Sequence, residues 1–223
     1  MHVDHAIGRD AFVAELTSLL ELAAGLTDEE LLATSRCRGW TVADVLTHVH
    51  LGLQEMLLGI VSPTDDPTTV DAASYWSAAP PSNDDEASPV EQVRFVRMLS
   101  SAYRHPTGGV RHLELTGRIL GRAVTRTVDE VHLDFQGHVI TTGDFFATWA
   151  VELAVHHLDL TSELIMEPPT KESLRLARQT VDELAGGPVP ATLTDTDAVL
   201  IGTGRLAPPV GLDLTGLRMP ALG

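Results

Sequence analysis

The sequence has 223 residues, 43% hydrophobic and 21% charged, the profile of a soluble globular chain able to bury one sizeable core. With 15 Lys and Arg against 31 Asp and Glu, the formal net charge is -16, which argues against nucleic acid and anionic membranes as partners because either needs a basic face. There is no run of about eighteen apolar residues and no basic-then-apolar leader, and the single cysteine, Cys37, excludes an internal disulfide, so the chain reads as cytoplasmic.

Helical spacing opens the chain. Phe12, Leu16, Leu19, Leu20 and Ala23 repeat at three and four over Arg9–Ala24, with Gly25 as the stop. Thr27-Asp28-Glu29-Glu30 matches a capping box and starts a short helix to about Ser35; Cys37-Arg38-Gly39-Trp40 is a turn. From Thr41 a long helix runs to about Val61 on the stripe Val42, Val45, Val49, Leu53, Met56 and Ile60. Ser62–Ser88, rich in Pro and acidic residues, reads as a long loop in which Tyr75 and Trp76 pack. Pro89–Tyr103 is a third long helix, and a further helical stretch lies around His112–Thr125. The alternation of Val131, Leu133 and Phe135 fits a short extended piece. Glu172–Ala185 is helical and is closed by Gly186-Gly187-Pro188; beyond it, Ala198-Val199-Leu200-Ile201 reads as one strand in a Pro/Gly-rich tail. The expected architecture is all-α with a small α+β appendage: an up-and-down four-helix bundle over 1–187 and a short extension with little regular structure over 188–223.

One stretch does not fit a plain core. Read as a helix, Thr142–Leu164 places Phe145, Trp149, Glu152, His156 and Leu160 on one stripe, with Glu152 and His156 within about 40° of each other. Burying a carboxylate costs several kcal/mol unless a partner compensates, and a neighbouring imidazole with a shared metal ion would do so. A third ligand must come from another helix, where the spacing leaves both His48 and His50 open. Asp44 and Asp159 are each placed either to orient such a histidine or to serve locally, Asp44 as part of a capping box with Thr41. His50 and His157 point away from the stripe centres toward solvent or rim; Cys37 reads as a packed residue; Phe145, Phe146 and Trp149 read as core. The basic cluster Arg104, Arg111, Arg118, Arg122 and Arg126 offers a site for a small anionic ligand.

Gly39-Trp40-Thr41-Val42-Ala43-Asp44-Val45-Leu46-Thr47-His48, followed by Glu152-Leu153-Ala154-Val155-His156-His157-Leu158-Asp159, resembles the mycothiol-dependent maleylpyruvate isomerase family, one of the DinB-like metal-binding four-helix bundles. The resemblance spans roughly Phe12 to Leu164. It implies His48, Glu152 and His156 as ligands of a zinc ion, with mycothiol or a similar thiol at the open fourth position. It also implies a small electrophile as the second substrate and isomerisation or S-transfer as the reaction; a homodimer is one assembly to expect. In the isomerase a larger C-terminal domain helps bind substrate, and Arg205 is the nearest arginine here to serve an anion from that part. A non-catalytic DinB-like module holding a metal or ligand is the alternative in a different class, and a redox-active iron site a third.

Overall fold

The computed structural model describes residues 1–78, 89–127, 130–161, 164 and 166–222. Threonine hydroxyls set most helix starts. Thr27, Thr41, Thr141, Thr170 and Thr194 each accept a backbone N–H from the first turn, and Asp4 does the same for the first helix. The α-helices are α1 (His5–Ala24), α2 (Asp28–Leu31), α3 (Val42–Ile60), α4 (Pro89–Ser101), α5 (Thr107–Arg126), α6 (Thr142–Leu160), α7 (Lys171–Ala185) and α8 (Asp195–Gly202). The strands are β1 (Pro63–Thr64), β2 (His132–Phe135) and β3 (His138–Thr141), paired antiparallel in the order β1-β2-β3.

Four helices close a ring: α1 packs along α6, α6 on α3, α3 along α5, and α5 back on α1. The apolar spacing of each supplies the seam, Phe12, Leu16 and Leu19 from α1, Val45, Val49, Leu53 and Met56 from α3, Val110, Leu113 and Leu120 from α5. α7 and α8 then cover the remaining side of α6. Helix α6 is consequently buried on nearly every face, not along one stripe; only Trp149 and Glu152 of it are partly exposed between Thr148 and Leu160.

The long segment after α3 carries β1 and a 3₁₀ turn, Ser74–Ser77, and the 79–88 part of the expected loop lies outside the described residues. The expected extended piece is the β2–β3 hairpin, whose two-residue turn holds Gln136 (φ 50°) and Gly137 (φ 77°) in the left-handed region that matches strand twist. Ala198–Ile201 is not a strand. It lies inside α8, because Thr194 caps a helix there and the four residues bury their side chains on α7 and α6. A continuous apolar run of that length suits either element, and the cap decides.

A second expectation is corrected at His157, which is fully buried, not at the rim. Its Nδ1 meets Glu15 Oε1 at 2.7 Å, and its Nε2 donates to the carbonyl of Glu167 at 3.0 Å. Glu15, also fully buried, accepts from the backbone N and hydroxyl of Thr170 at 2.7 and 2.8 Å. The pair thus ties α1, α6 and the cap of α7 together, and neither group is left unpaired in the core.

The crossing of α1 with the start of α6 is so close that both facing residues are glycine. A methyl group on Gly8 would collide with the carbonyl oxygen of Gly143, and one on Gly143 with that of Val3. Gly8→Ala is expected to destabilise the protein by ~3 kcal/mol in urea unfolding, since backbone atoms cannot repack around the intruding carbon. Gly25→Ala, whose new methyl would sit at ordinary contact distance from the backbone, should change stability by less than about 0.5 kcal/mol.

Candidate metal centre

Three side chains meet where α3 faces α6. Gly39 at φ 82° reverses the chain, the reciprocal Thr41–Asp44 capping box starts α3, and His48 follows on the second turn. Trp40 packs its ring against that of His48, centroids 5.2 Å apart. From α6, Glu152 and His156 lie one turn apart, as their spacing requires. Glu152 Oε1 is 3.3 Å from His48 Nε2 and 3.1 Å from His156 Nε2, and one donor atom from each of the three falls within 4.8 Å of the others. Asp44 is committed to the backbone N and hydroxyl of Thr41 and serves the helix start.

Behind this trio stands Asp159, fully buried. It accepts from His156 Nδ1 at 2.9 Å, from the Cys37 thiol at 3.1 Å, and from Arg205 through Nε and Nη2 at 2.7 and 2.9 Å. Asp159 accepts from Nδ1–H of His156, so Nε2 is the ring nitrogen aimed at Glu152 and the one that a metal ion would take in place of its proton. The loop carrying Cys37 is anchored to the same place: Arg36 donates its backbone N–H to the carbonyl of Asp159 and its Nε to that of Leu158.

The electrostatics follow from these contacts. Burial alone would raise the carboxyl of Glu152, but the charge and hydrogen bond of His156, then those of His48, outweigh it and hold the group well below the ordinary carboxylate range. Burial would lower His156; Glu152 and Asp159 push it well above its ordinary value instead. Asp159 is likewise lowered against burial, by His156 and Arg205.

The donor set fits a divalent ion. Two histidine nitrogens and one carboxylate oxygen are zinc ligands, and ligands at ~2.1 Å in a tetrahedron stand ~3.4 Å apart, close to the 3.1 and 3.3 Å found here. Cys37, His156 and Asp159 form a second cluster of ligand-type atoms, but the Arg205 guanidinium already neutralises Asp159 and would repel a cation there.

Of the other residues singled out from sequence, His50 is half-buried and hydrogen bonds Thr116 and Gln54 away from the centre. Arg205 is not free for an anion; it is spent on Asp159. Arg118 and Arg122 border a separate groove between α1 and α5, and none of the five arginines of the basic cluster lines the cavity at the centre. Glu15 shows the same anomaly that marks Glu152, a carboxylate on the stripe of Phe12 and Leu16. The approach to the centre is a cavity of about 320 Å³, with His48 and Glu152 in its lining. Its aromatic wall, Tyr75 and Trp76, stands on the 3₁₀ turn, which no sequence period marks.

A closed ring of four helices with a His/Glu/His trio on its inner face is the class of bundle that builds ligand sites from facing helices. Residues 12–161 match the family model for the mycothiol maleylpyruvate isomerase N-terminal domain, and the chain belongs to that family. Among solved structures it is similar to the crystal structure of the mycothiol-dependent maleylpyruvate isomerase, with a TM-score of 0.55 at 15% identity, over 82% of this chain and 70% of that one. A histidine-to-alanine mutant of the isomerase gives a TM-score of 0.54 at 13% identity over the same shares. At this identity the likeness is one of fold. No curated protein matches the chain.

The aromatic wall depends on Asp71. Its Oδ1 accepts from the backbone N of Ala73 and Ser74 at 2.9 and 2.8 Å, and its Oδ2 pairs with the N-terminal amine at 2.8 Å. Burial would raise this carboxyl, yet the amine and the backbone donors lower it to about 2. Because the folded value lies below the unfolded one, the stabilisation is complete above pH ~4 and is lost as pH falls through ~2. Asp71→Asn should therefore cost roughly 2 kcal/mol at neutral pH, and the difference from wild type should vanish near pH 2 in chemical denaturation.

Proposed function

We propose that the protein is a zinc-dependent enzyme that uses a low-molecular-weight thiol of the mycothiol class to isomerise a small electrophile or to join the thiol to it through sulfur. The observation that carries this reading is the convergence of His48, Glu152 and His156 beside the cavity. Membership of the isomerase family and the shared fold support it. His48, Glu152 and His156 would hold the ion, and three protein ligands leave one position open, as catalytic zinc sites do. When bound, zinc supplies Lewis acidity that keeps a coordinated thiol deprotonated near neutral pH.

The chain's own groups do the rest. Asp159 fixes the ring of His156 through Nδ1, and Arg205 holds Asp159 in place from the segment after α8. Tyr75, Trp76 and Trp149 shield the approach from water. In this reading the bundle over 1–187 carries all three ligands and the 188–223 extension contributes Arg205. No helix among the described residues is long and apolar enough to cross a membrane, and a reducing, thiol-rich cytoplasm is the compartment such chemistry requires.

A second reading, a non-catalytic binding module, draws on the fact that the trio already closes on itself through two hydrogen bonds. Elemental analysis of untagged protein separates the two, combined with assays of thiol-dependent consumption of an electrophile. Wild type is expected to hold about one zinc per chain, and His48→Ala and His156→Ala to lose it together with turnover. Wild type that retains no metal after zinc is added and the excess removed would defeat the enzyme reading. Stoichiometric zinc without turnover of any electrophile would leave the module.

A further inference from the structure

We infer that the acceptor taken by this cavity is an uncharged, flat carbonyl-conjugated electrophile and not a carboxylate. The inference rests on the thiol-enzyme reading for the reaction but on the cavity wall for the substrate class. Among the described residues, the lining contains no Lys or Arg; its charged side chains are the carboxylates Glu55 and Glu152 and, when protonated, His48. The chain outside the described residues, 79–88, 128–129, 162–163, 165 and 223, contains no Lys, Arg or His either. The arginines of α4, Arg94 and Arg97, are exposed and outside the lining. Arg205 lies on the far side of His156, with Nε and Nη2 both spent on Asp159.

A divalent ion, the Glu152 carboxylate and a thiolate would together sum to zero charge, so the loaded centre would offer no net positive charge to a second anion. A carboxylate acceptor would thus be desolvated without a cation and would face Glu55 besides. Tyr75 stands beside the same carboxylates: burial first, then the charges of Glu152 and Glu55, push its phenol well up.

What the wall does offer suits a neutral, planar molecule. Trp76, Trp149 and Tyr75 present aromatic surface, and Phe95 stands 48% exposed among the lining residues. Polar contact is available from a neutral group, the amide of Gln136. Gln136 is held by the Tyr75 hydroxyl, which donates to its Oε1 at 2.7 Å, and by Glu55, which accepts from its Nε2 at 3.0 Å. That leaves its second N–H for a carbonyl oxygen. The volume matches a small aryl or alkyl enone. In the step, the thiol's sulfur pair forms a bond to the β-carbon and the alkene π pair moves to the carbonyl oxygen. The proton the thiol released then returns to the α-carbon, so thiol and acceptor combine into one thioether with nothing oxidised.

The test uses the full chain without metal or thiol, and two unreactive probes that differ by one charge, methyl 3-benzoylpropionate and 3-benzoylpropionate. Binding near neutral pH is read by quenching of tryptophan fluorescence, since Trp76 and Trp149 are in the wall. The ester is expected to bind at least about tenfold more tightly than the acid. Gln92→Lys, an exposed substitution that adds a cation to the lining, should close most of that gap by tightening the acid while leaving the ester within about twofold. Equal or tighter binding of the acid to wild type, or saturation by neither probe, overturns the inference. Because the sample holds neither zinc nor thiol, this result and the metal and turnover assays can fail independently.

Discussion

The rest of the structure depends on the near-total burial of α6. A helix enclosed by α1, α3, α7 and α8 has no solvent face on which to place polar residues, so each polar side chain it carries must be met by a neighbour. Asp144 receives the backbone N–H of Val3 and contacts His2; Glu152 receives His48; His157 receives Glu15; Asp159 receives Arg205, Cys37 and His156. These pairings pin a different element at each turn of the helix. Shape complementarity alone would allow apolar helices to slide, whereas these contacts fix the register.

Within that scheme the centre has two layers with distinct tasks. The outer layer, His48, Glu152 and His156, holds acidic and basic groups at distances set by two helices. The inner layer, Asp159 with Arg205, has no access to the cavity and serves to set the proton on His156 Nδ1. An arginine suits this role because its planar fork meets both carboxylate oxygens of Asp159 and keeps its charge while buried. Cys37 spends its thiol hydrogen on the same carboxylate, which explains why a small residue from a turn sits beside the centre.

Much of this was legible in the sequence because both signals are local. The 3.6-residue spacing marked α1, α3, α5, α6 and α7, and the four-residue step from Glu152 to His156 guaranteed a shared face whatever the packing. The choice of His48 over His50 was not local: it depends on how α3 rotates against α6, and only the family motif favoured it. The partners of Arg205 and Glu15 were opaque for the same reason, since they lie 46 and 142 residues away. Ala198–Ile201 failed as a strand because four apolar residues carry no period of their own. The wall residues Tyr75, Trp76 and Gln136 come from a 3₁₀ turn and a hairpin tip, whose positions are set by Asp71 and by backbone angles.

The contact between His48 and Glu152 joins residues 104 positions apart. Bringing such distant points together costs loop-closure entropy that nothing local repays, so the three side chains meet only when α3 and α6 have packed. An ion gripped by all three would recognise only the finished ring of helices. Its affinity would then add directly to the free energy of folding, making the loaded chain a longer-lived molecule than the empty one.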